Sequence, residues 1–308
     1  MDSFVSNFLA TFPGAFFGGL TRGSIYALIA LGYTMVYGIV ALINFAHGEI
    51  YMIGAFTGLI VAGVLGTLGM PMLAILVLAA LCSVIWSSAY GYTVEKIAYK
   101  PLRNAPRLSP LISAIGMSIF LQNYVLLAQT SDFLPFPELI PDIPFLDRYS
   151  DFLSTPEFII IAVTIAVCIG LTLFIKYTKL GRAMRATSEN RKMAMLVGIN
   201  VDRVISATFV IGSALAALGA VLIASHIGQV NFYIGFIAGL KAFTAAVLGG
   251  IGSVPGAMLG GLILGWTESF CTIYVSSDYE DVFAFALLVL ILIFRPEGIL
   301  GREAAQKV

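Results

Sequence analysis

The sequence predicts an all-α, polytopic integral membrane helix bundle. Of the 308 residues, 59% are hydrophobic and 11% are charged, and the mean hydropathy is +0.96, whereas a soluble domain carries roughly a quarter charged residues. The stretches without Asp, Glu, Lys or Arg are 23–48, 50–94, 108–131, 158–175, 204–240 and 242–267. A membrane-spanning helix needs about 20 such residues. Because the stretches are continuously apolar and lack the alternation of outer-membrane strands, we expect helices.

These stretches divide into consecutive helices, for which we expect about eight to ten spans. The predicted helices lie near 24–43, 50–68, 71–95, 108–129, 158–176, 204–225, 237–252, 255–275 and 282–295. The segment 4–20 is apolar but contains Pro13 and paired glycines, so we expect it to cross the membrane as a broken piece or to lie at its interface. No basic residue precedes Arg22, so we expect mature protein without a secretory signal. The whole chain, 1–308, is treated as one transmembrane domain.

Charged residues between the apolar stretches predict the orientation. Basic residues gather in two loops, about 96–107 and 177–203, which the positive-inside rule assigns to the cytoplasm. The acidic, proline-rich segment 131–157 is expected to be an external loop with little regular structure. The acidic segment 276–281 is also expected outside, and the tail after Arg295 is expected to end in the cytoplasm.

Polar residues, glycine and proline interrupt the membrane sequence at similar places in its two halves, at 44–49 and 249–256. Transporters often place broken helices on the substrate path, where protein or water satisfies the unwound backbone. The residues predicted to line a path or gate here are Asn44, His47, Glu49, Gly250 and Gly252. For the second segment we favour the alternative of a tight cytoplasmic turn, in which Ser253 caps a helix that starts near Pro255.

Two ionisable residues deep in apolar stretches, Lys241 and Glu268, complete the set of predicted path residues. Charged groups are costly in lipid and usually face the bundle interior. Both residues fall in the outer part of adjacent predicted helices, so we hypothesise that they form an ion pair. The alternative is that Lys241 extends alone towards the membrane surface. A metal site at His47 and Glu49 is not expected, because the only other histidine, His226, is predicted at the opposite side.

The second basic loop contains an amphipathic stretch, 180–200, which predicts a short helix that lies against the membrane or docks into a groove. Its pattern resembles the coupling loop of ATP-binding-cassette importer permeases, which inserts into the ATPase subunit. The residues that carry this resemblance and its implied role are Arg182, Arg185, Ala186, Asn190, Ala194, Gly198 and Ile199. The pattern departs from the older consensus, which opens with Glu-Ala-Ala. The alternative is a positive loop that only sets orientation.

The resemblance extends along the chain through the stretches 23–38, 43–49, 113–118 and 245–253. They are similar to the LivH-type family of permease subunits of branched-chain amino acid importers. This resemblance implies the ATP-binding-cassette importer permease fold and transport of leucine, isoleucine or valine across the bacterial inner membrane. It also implies a heterodimer with a second, homologous permease, two cytoplasmic ATPases that hold ATP and Mg²⁺, and a periplasmic amino-acid-binding protein. No cofactor is expected on this chain itself.

Other functions remain open from the residues alone. A secondary transporter driven by an ion gradient would fit the two interrupted segments and the isolated acidic residues. An intramembrane enzyme would use His47 and Glu49 as acid and base, but we do not expect an enzyme. The net charge is zero, so no basic surface for nucleic acid is expected.

Overall fold

The computed structural model describes residues 2–40, 42–103, 105–106, 108–141 and 153–301. As predicted, these residues form an all-α bundle. The helices are α1 (Asp2–Val40), α2 (Ala46–Thr67), α3 (Met72–Val94), α4 (Leu108–Ala128), α5 (Thr155–Tyr177), α6 (Lys179–Glu189), α7 (Arg191–Leu196), α8 (Val201–Ile227), α9 (Ile234–Gly249), α10 (Val254–Tyr274) and α11 (Glu280–Phe294). A π-helical turn (Glu95–Tyr99) and a 3-10 turn (Lys100–Leu102) extend α3, and a 3-10 turn (Ser277–Tyr279) precedes α11.

The number of spans is lower than predicted. By length and composition, six helices of the described chain can cross a membrane, and α9 with α10 forms a further pair that is bent by 119°, for up to seven spans. Helices are present at all nine predicted places. However, α9 and α11 have only 16 and 15 residues, and each is shorter than the roughly 20 residues that a span of its own needs.

Helix α1 is continuous, so the break predicted within 4–20 is wrong. It runs for 39 residues with Pro13 inside it. The paired glycines allow close packing instead of a break, because a Cβ added to Gly19 would lie 2.9 Å from the Trp266 Cα of α10. Ser269 of α10 donates a hydrogen bond to the Ala15 carbonyl at 2.7 Å. A proline is tolerated in a membrane helix that is supported by its neighbours in this way.

Glycines bring the backbones of α1, α9 and α10 into direct contact. A Cβ added to Gly265 would overlap the backbone of Gly23 in α1, and one added to Gly260 would overlap the carbonyl of Ala245 in α9. Helix α10 therefore packs closely against two helices at once. Such contacts matter in lipid, where no hydrophobic force drives helices together.

The two basic loops lie together at one end of the bundle, which we call the basic end. Lys100 of the first loop forms an ion pair with Asp202 at the start of α8, at 3.2 Å, and Arg103 pairs with the same carboxylate. Asp202 lies at the end of the second loop, where α8 begins. The grouping predicted from charge placement is therefore present in the folded chain.

The described part of the loop 131–157 covers the opposite end, which we call the acidic end. Its strand β1 (Leu134–Pro135) pairs antiparallel with β2 (Gln229–Val230), and the Leu139 amide donates to Ser225 Oγ of α8 at 2.9 Å. Apart from β1 this part is irregular, as predicted, but it is packed onto the helices. The rest of the loop, 142–152, and the end of the tail, 302–308, lie outside the described residues.

We predict that Gly265→Ala lowers the stability of the protein, because the added methyl group meets the backbone of Gly23, which cannot move aside. Overpacking of this kind costs about 1–3 kcal/mol. The melting temperature of the purified protein in detergent measures the effect. Gly116→Ala on α4 is the matched control, since a Cβ there has nothing within 4 Å. Equal melting temperatures for the two variants would contradict the packing argument.

Candidate functional site

The first interrupted segment folds back into the bundle between α1 and α2. The His47 ring packs edge-on against Tyr33, with centroids 4.6 Å apart, and its Nε2 lies 3.3 Å from the Ile29 carbonyl oxygen. Tyr33 lies about 10 Å before the end of α1, at 1.5 Å per residue. Helix α2 therefore starts well inside the bundle and not at its surface, as expected for an interrupted helix at membrane depth.

Other groups of the protein form hydrogen bonds with the unwound backbone of this segment. The Tyr99 hydroxyl donates to Asn44 Oδ1 at 3.0 Å and lies 3.2 Å from the Ile43 carbonyl. The His47 amide donates to the Asn44 carbonyl at 3.1 Å. Asn44 and His47 are both buried. Irregular backbone is tolerated at membrane depth where protein buries it and forms hydrogen bonds with it, and this segment meets that condition. The role of these residues in a path stays a prediction.

Glu49 lies where α2, α4 and α9 meet, and its side chain is buried. Ser118 Oγ of α4 donates to its Oε1 at 3.1 Å, while Oε2 has no hydrogen-bond partner among the described residues. A Cβ added to Gly235 of α9 would lie 2.8 Å from Oε2, so only glycine leaves room for the carboxylate. A buried polar atom without a partner is costly and is often found at functional positions.

A cavity of about 200 Å³ opens beside this carboxylate, between α1, α4 and α9. Ser118, which binds Glu49, lines the cavity together with Tyr33, Phe45 and Gln122. The Gln122 Nε2 is also buried without a partner in the described chain. Of the first segment only Phe45 lines this cavity, and the predicted residues Asn44, His47 and Glu49 do not; Ser118 connects the cavity to Glu49.

Lys241 and Glu268 form the ion pair that we hypothesised. Lys241 Nζ lies 3.1 Å from Glu268 Oε1, and the two side chains are 8% and 0% exposed. Two further carboxylates, which we had placed in an external loop, share the ammonium group: Glu280 Oε1 at 2.8 Å and Asp281 Oδ1 at 2.9 Å. Arg22 of α1 binds the other oxygen of Glu280 at 2.7 Å. We call these five residues the outer ion network.

The outer ion network joins four helices and is completed by neutral donors. The Tyr26 hydroxyl of α1 donates to Glu268 Oε2 at 2.6 Å, and Thr272 Oγ1 donates to Glu280 Oε2 at 3.1 Å. The oxygens of Glu268, Glu280 and Asp281 are spaced closely enough to hold a metal ion. The Lys241 ammonium group, however, already lies within ion-pair distance of all three carboxylates.

The second interrupted segment has the geometry of the turn that we favoured. Ser253 Oγ accepts a hydrogen bond from the Gly256 amide at 3.2 Å, and Pro255 lies in the first turn of α10. Gly250 and Gly252 have φ values of +103° and +94°, which few residues except glycine adopt. This segment is therefore a tight link between two helices. A path or gate role for its glycines stays a prediction.

The chain after α11 covers this turn, which the sequence did not indicate. The amides of Ile299 and Leu300 donate to the carbonyls of Leu248 and Gly249, both at 2.9 Å. A Cβ added to Gly250 would overlap the backbone of the tail. The carbonyls at the end of α9 are thereby satisfied from a part of the chain that is remote in sequence.

The predicted coupling loop contains two helices, α6 and α7, and not one. The chain is extended at Asn190 (φ −155°), and its side chain caps α7 by accepting hydrogen bonds from the Lys192 and Met193 amides at 3.0 and 3.1 Å. Two arginines of the pattern bond within the loop: Arg182 to the Tyr177 carbonyl and Arg185 to that of Lys176. The amphipathic pattern alone does not reveal the break, but asparagine is a preferred N-cap residue, so Asn190 is the signal that could have indicated it.

The end of this loop forms a compact turn after α7. Ala194 is buried, and its carbonyl accepts from the Ile199 amide at 3.0 Å. Gly198 has a φ of +84°, so the last two positions of the pattern close the loop onto α7. The apolar side chains on the outer surface are exposed, at 57% for Met193, 80% for Leu196 and 72% for Val197.

Arg191 fixes the loop to the bundle. Its Nε and Nη2 donate to the Ile39 carbonyl of α1 at 3.1 and 2.7 Å. Burial, together with the nearby charge of Arg103, lowers the pKa of Arg191 below its ordinary value. Ile39 lies one residue before the end of α1, so the contact joins α7 to the end of the helix that precedes the first interrupted segment.

A second contact at the basic end involves Glu95, which the sequence analysis missed. This fully buried side chain accepts from Ser206 Oγ of α8 at 2.8 Å and forms an ion pair with Arg103. The sequence did contain a signal for Glu95. It is an acidic residue that ends the long charge-free stretch 50–94, directly before the first basic loop. The network holds the first basic loop against α8.

These features define a membrane permease: a bundle with several spans, an interrupted segment that reaches inside it, and an amphipathic loop that projects from one end. The chain belongs to the family described as "Branched-chain amino acid transport system / permease component", whose model matches residues 15–292. The predicted family resemblance is thereby confirmed. The family consists of transport components, which agrees with the expectation that the chain is not an enzyme.

Individual proteins show the same relationship. The high-affinity branched-chain amino acid transport system permease protein LivH of Salmonella typhimurium is 52% identical over 296 residues, which cover 95% of this chain and 96% of LivH. The corresponding permease protein BraD of Pseudomonas aeruginosa is 54% identical over 295 residues, 94% and 96% of the two chains. The solved structure of PsaBC from Streptococcus pneumoniae in complex with Fab matches with a TM-score of 0.50 and 13% identity, covering 95% of this chain and 97% of that one, and shares the fold.

We predict that Lys241→Met strongly destabilises the protein, because it leaves three carboxylates together without their shared cation. Removing one partner of a buried ion pair costs about 3–5 kcal/mol. The double variant Lys241→Met/Glu268→Gln should regain part of this loss, since it removes one of the negative charges. Melting temperatures of the wild type, both single variants and the double variant form the cycle. If Lys241→Met melts like the wild type, the network contributes nothing to stability.

Proposed function

We propose that this chain is the transmembrane permease subunit of an ATP-binding-cassette importer that carries leucine, isoleucine and valine across the bacterial inner membrane. The names of LivH and BraD, permease proteins of branched-chain amino acid transport systems, support the substrate class. In this proposal the bundle opens alternately at its acidic and basic ends. The energy comes from partner subunits.

The observation that carries the proposal is the exposed apolar surface of α7 at the basic end. A solvated loop does not normally present adjacent large apolar side chains such as Leu196 and Val197, and exposed apolar patches mark contact surfaces. The loop is also held rigidly at its base by Arg191. The loop therefore presents apolar side chains to a partner and is hydrogen-bonded to α1 at its base. Both properties suit a contact that transmits movement.

In this proposal the basic end faces the cytoplasm, following the positive-inside rule. The partners there are two ATPase subunits that bind ATP and Mg²⁺, and this chain binds no cofactor. A second, homologous permease completes the membrane part as a heterodimer. A periplasmic binding protein delivers the amino acid to the acidic end. The tail begins after α11 and covers the turn between α9 and α10. In this proposal it lies on the cytoplasmic side.

Movement passes from the ATPases to the path through the loop 177–203. When the ATPases close, they displace α7, and Arg191 transfers the displacement to the end of α1 at Ile39. The adjoining interrupted segment, with His47 and Glu49, then shifts against α4 and α9. This movement has to exchange or carry along the hydrogen bonds of Glu49 with Ser118 and of Asn44 with Tyr99, whereas Glu49 Oε2 has no partner to lose among the described residues.

We predict that Leu196→Glu weakens the binding of the ATPase subunits. Burying a leucine at an interface is worth about 1.5–3 kcal/mol, so affinity should fall about tenfold or more. The amount of ATPase subunit that co-purifies with the permease measures this. Val275→Glu, at an exposed apolar position of the acidic end, is the control and should retain full association. Wild-type association and uptake for Leu196→Glu would argue against docking through this surface.

We predict that Arg191→Ala keeps the ATPases bound but reduces the leucine transported per ATP hydrolysed. Substitutions within a coupling network change coupling by about 0.5–2 kcal/mol, so the ratio should fall about two- to thirtyfold. Lys192→Ala removes the same charge from the neighbouring exposed position and should leave the ratio unchanged. Reconstituted transporters assayed for both activities give the ratio. An unaltered ratio in Arg191→Ala would exclude this contact from the transmission path.

A further inference from the structure

A second and larger cavity lies at the acidic end, away from the cavity beside Ser118. It measures about 560 Å³ and is bounded mainly by α1, α8, α9 and α10. Small-molecule sites are usually clefts of about 300–1,000 Å³ with mostly apolar walls and few polar groups. The cavity therefore has the size of a ligand site, and it opens at the end of the bundle where the proposed function has substrate arriving.

The wall of this cavity is formed largely by isoleucines. They come from separate helices and include Ile25, Ile29, Ile223, Ile234 and Ile237. Tyr51, which is 1% exposed, closes the cavity from α2. Branched aliphatic side chains on several sides form a surface that accepts another branched aliphatic group and offers it no hydrogen bond.

Charged groups also line the same cavity. Arg22, Lys241 and Glu280 of the outer ion network all line it, and Glu157 adds another carboxylate. The pair of Arg22 with Glu280 is its more exposed part, with side chains 40% and 20% accessible, whereas Lys241 is 8% accessible. Arg22 has one carboxylate partner there, while Glu280 is also held by Lys241 at 2.8 Å and by Thr272 at 3.1 Å.

We infer that this cavity is a transient binding site for the branched-chain amino acid within the permease itself, an assignment that rests on the proposed function. The carboxylate of the amino acid pairs with Arg22. Its ammonium group pairs with Glu280. Its branched side chain lies against the isoleucine wall.

The charge arrangement favours a zwitterion over other solutes of the same size. A zwitterion that enters between Arg22 and Glu280 gives each of them an opposite charge, so no charged group is left alone. A ligand with only a carboxylate or only an ammonium group leaves one member of the pair without a new partner, which is costly in a partly buried site. Because one ion pair is exchanged for two similar ones, the net gain is small, and the amino acid can be released again.

The test measures equilibrium binding of radiolabelled L-leucine to the assembled transporter, without binding protein and without ATP. Wild type should bind leucine saturably. Isocaproate, which lacks the ammonium group, and isoamylamine, which lacks the carboxylate, should compete at least about tenfold less well, the equivalent of about 1.4 kcal/mol. Equal competition by either compound would overturn the zwitterion assignment.

Two variants locate the site. Arg22→Gln removes the carboxylate partner, and Ala238→Leu fills the cavity from α9 without touching a charge. Each should weaken leucine binding at least about tenfold, and Ala238→Leu decides the matter if Arg22→Gln does not fold. Gly116→Leu, on α4 where nothing lies within 4 Å, should bind leucine normally. Wild-type affinity in the folded variants overturns the site.

The same preparations separate this inference from the proposed function. If the wild-type assembly takes up leucine with ATP and the binding protein but shows no saturable leucine binding of its own, the site is refuted and the importer function stands. If the assembly shows no ATP-dependent uptake, the proposed function fails, and the site assigned on it fails as well.

Discussion

Close backbone contact at glycines is the constraint on which the rest of this structure depends. In lipid the helices gain nothing from burying apolar surface against each other, so association requires tight packing and polar contacts. Gly23 against Gly265 joins α1 to α10, and Gly48 against Gly235 joins α2 to α9. Because Gly235 has no side chain, the Glu49 carboxylate fits between α2 and α9. The outer ion network likewise depends on α1, α9, α10 and α11 lying close enough for their charged side chains to meet.

The two ends of the bundle are held by different polar networks, and the interrupted segment lies between them. At the acidic end one lysine joins carboxylates from two helices. At the basic end buried Glu95 and the guanidinium of Arg191 hold loops onto α8 and α1. Transport by alternating access requires that each end loosens in turn, and networks of paired charges can exchange partners without leaving a charge alone. The fold therefore combines a closely packed centre with paired charges at both ends.

The sequence was sufficient for the helices and for the pairing of Lys241 with Glu268, because both follow from local rules: apolar length, and the cost of a lone charge in lipid. It was insufficient wherever a partner comes from a remote part of the chain. From the sequence, Glu280 was predicted to belong to an external acidic loop. In the structure it is the first residue of α11 and lies beside Lys241. The tail gives no sign in sequence that it covers the turn after α9. The continuity of α1 through Pro13 depends in the same way on contacts with α10. The local sequence around Pro13 does not indicate these contacts.

In the proposed mechanism this bundle moves substrate only when partner ATPases act on the loop 177–203. Leucine uptake into proteoliposomes that contain either this chain alone or the complete assembly tests it most directly. We expect uphill, sodium-independent uptake that requires ATP and every partner subunit, and none by the isolated chain. Accumulation of leucine against its gradient by the chain alone, driven by an ion gradient, would contradict this mechanism and identify a secondary transporter.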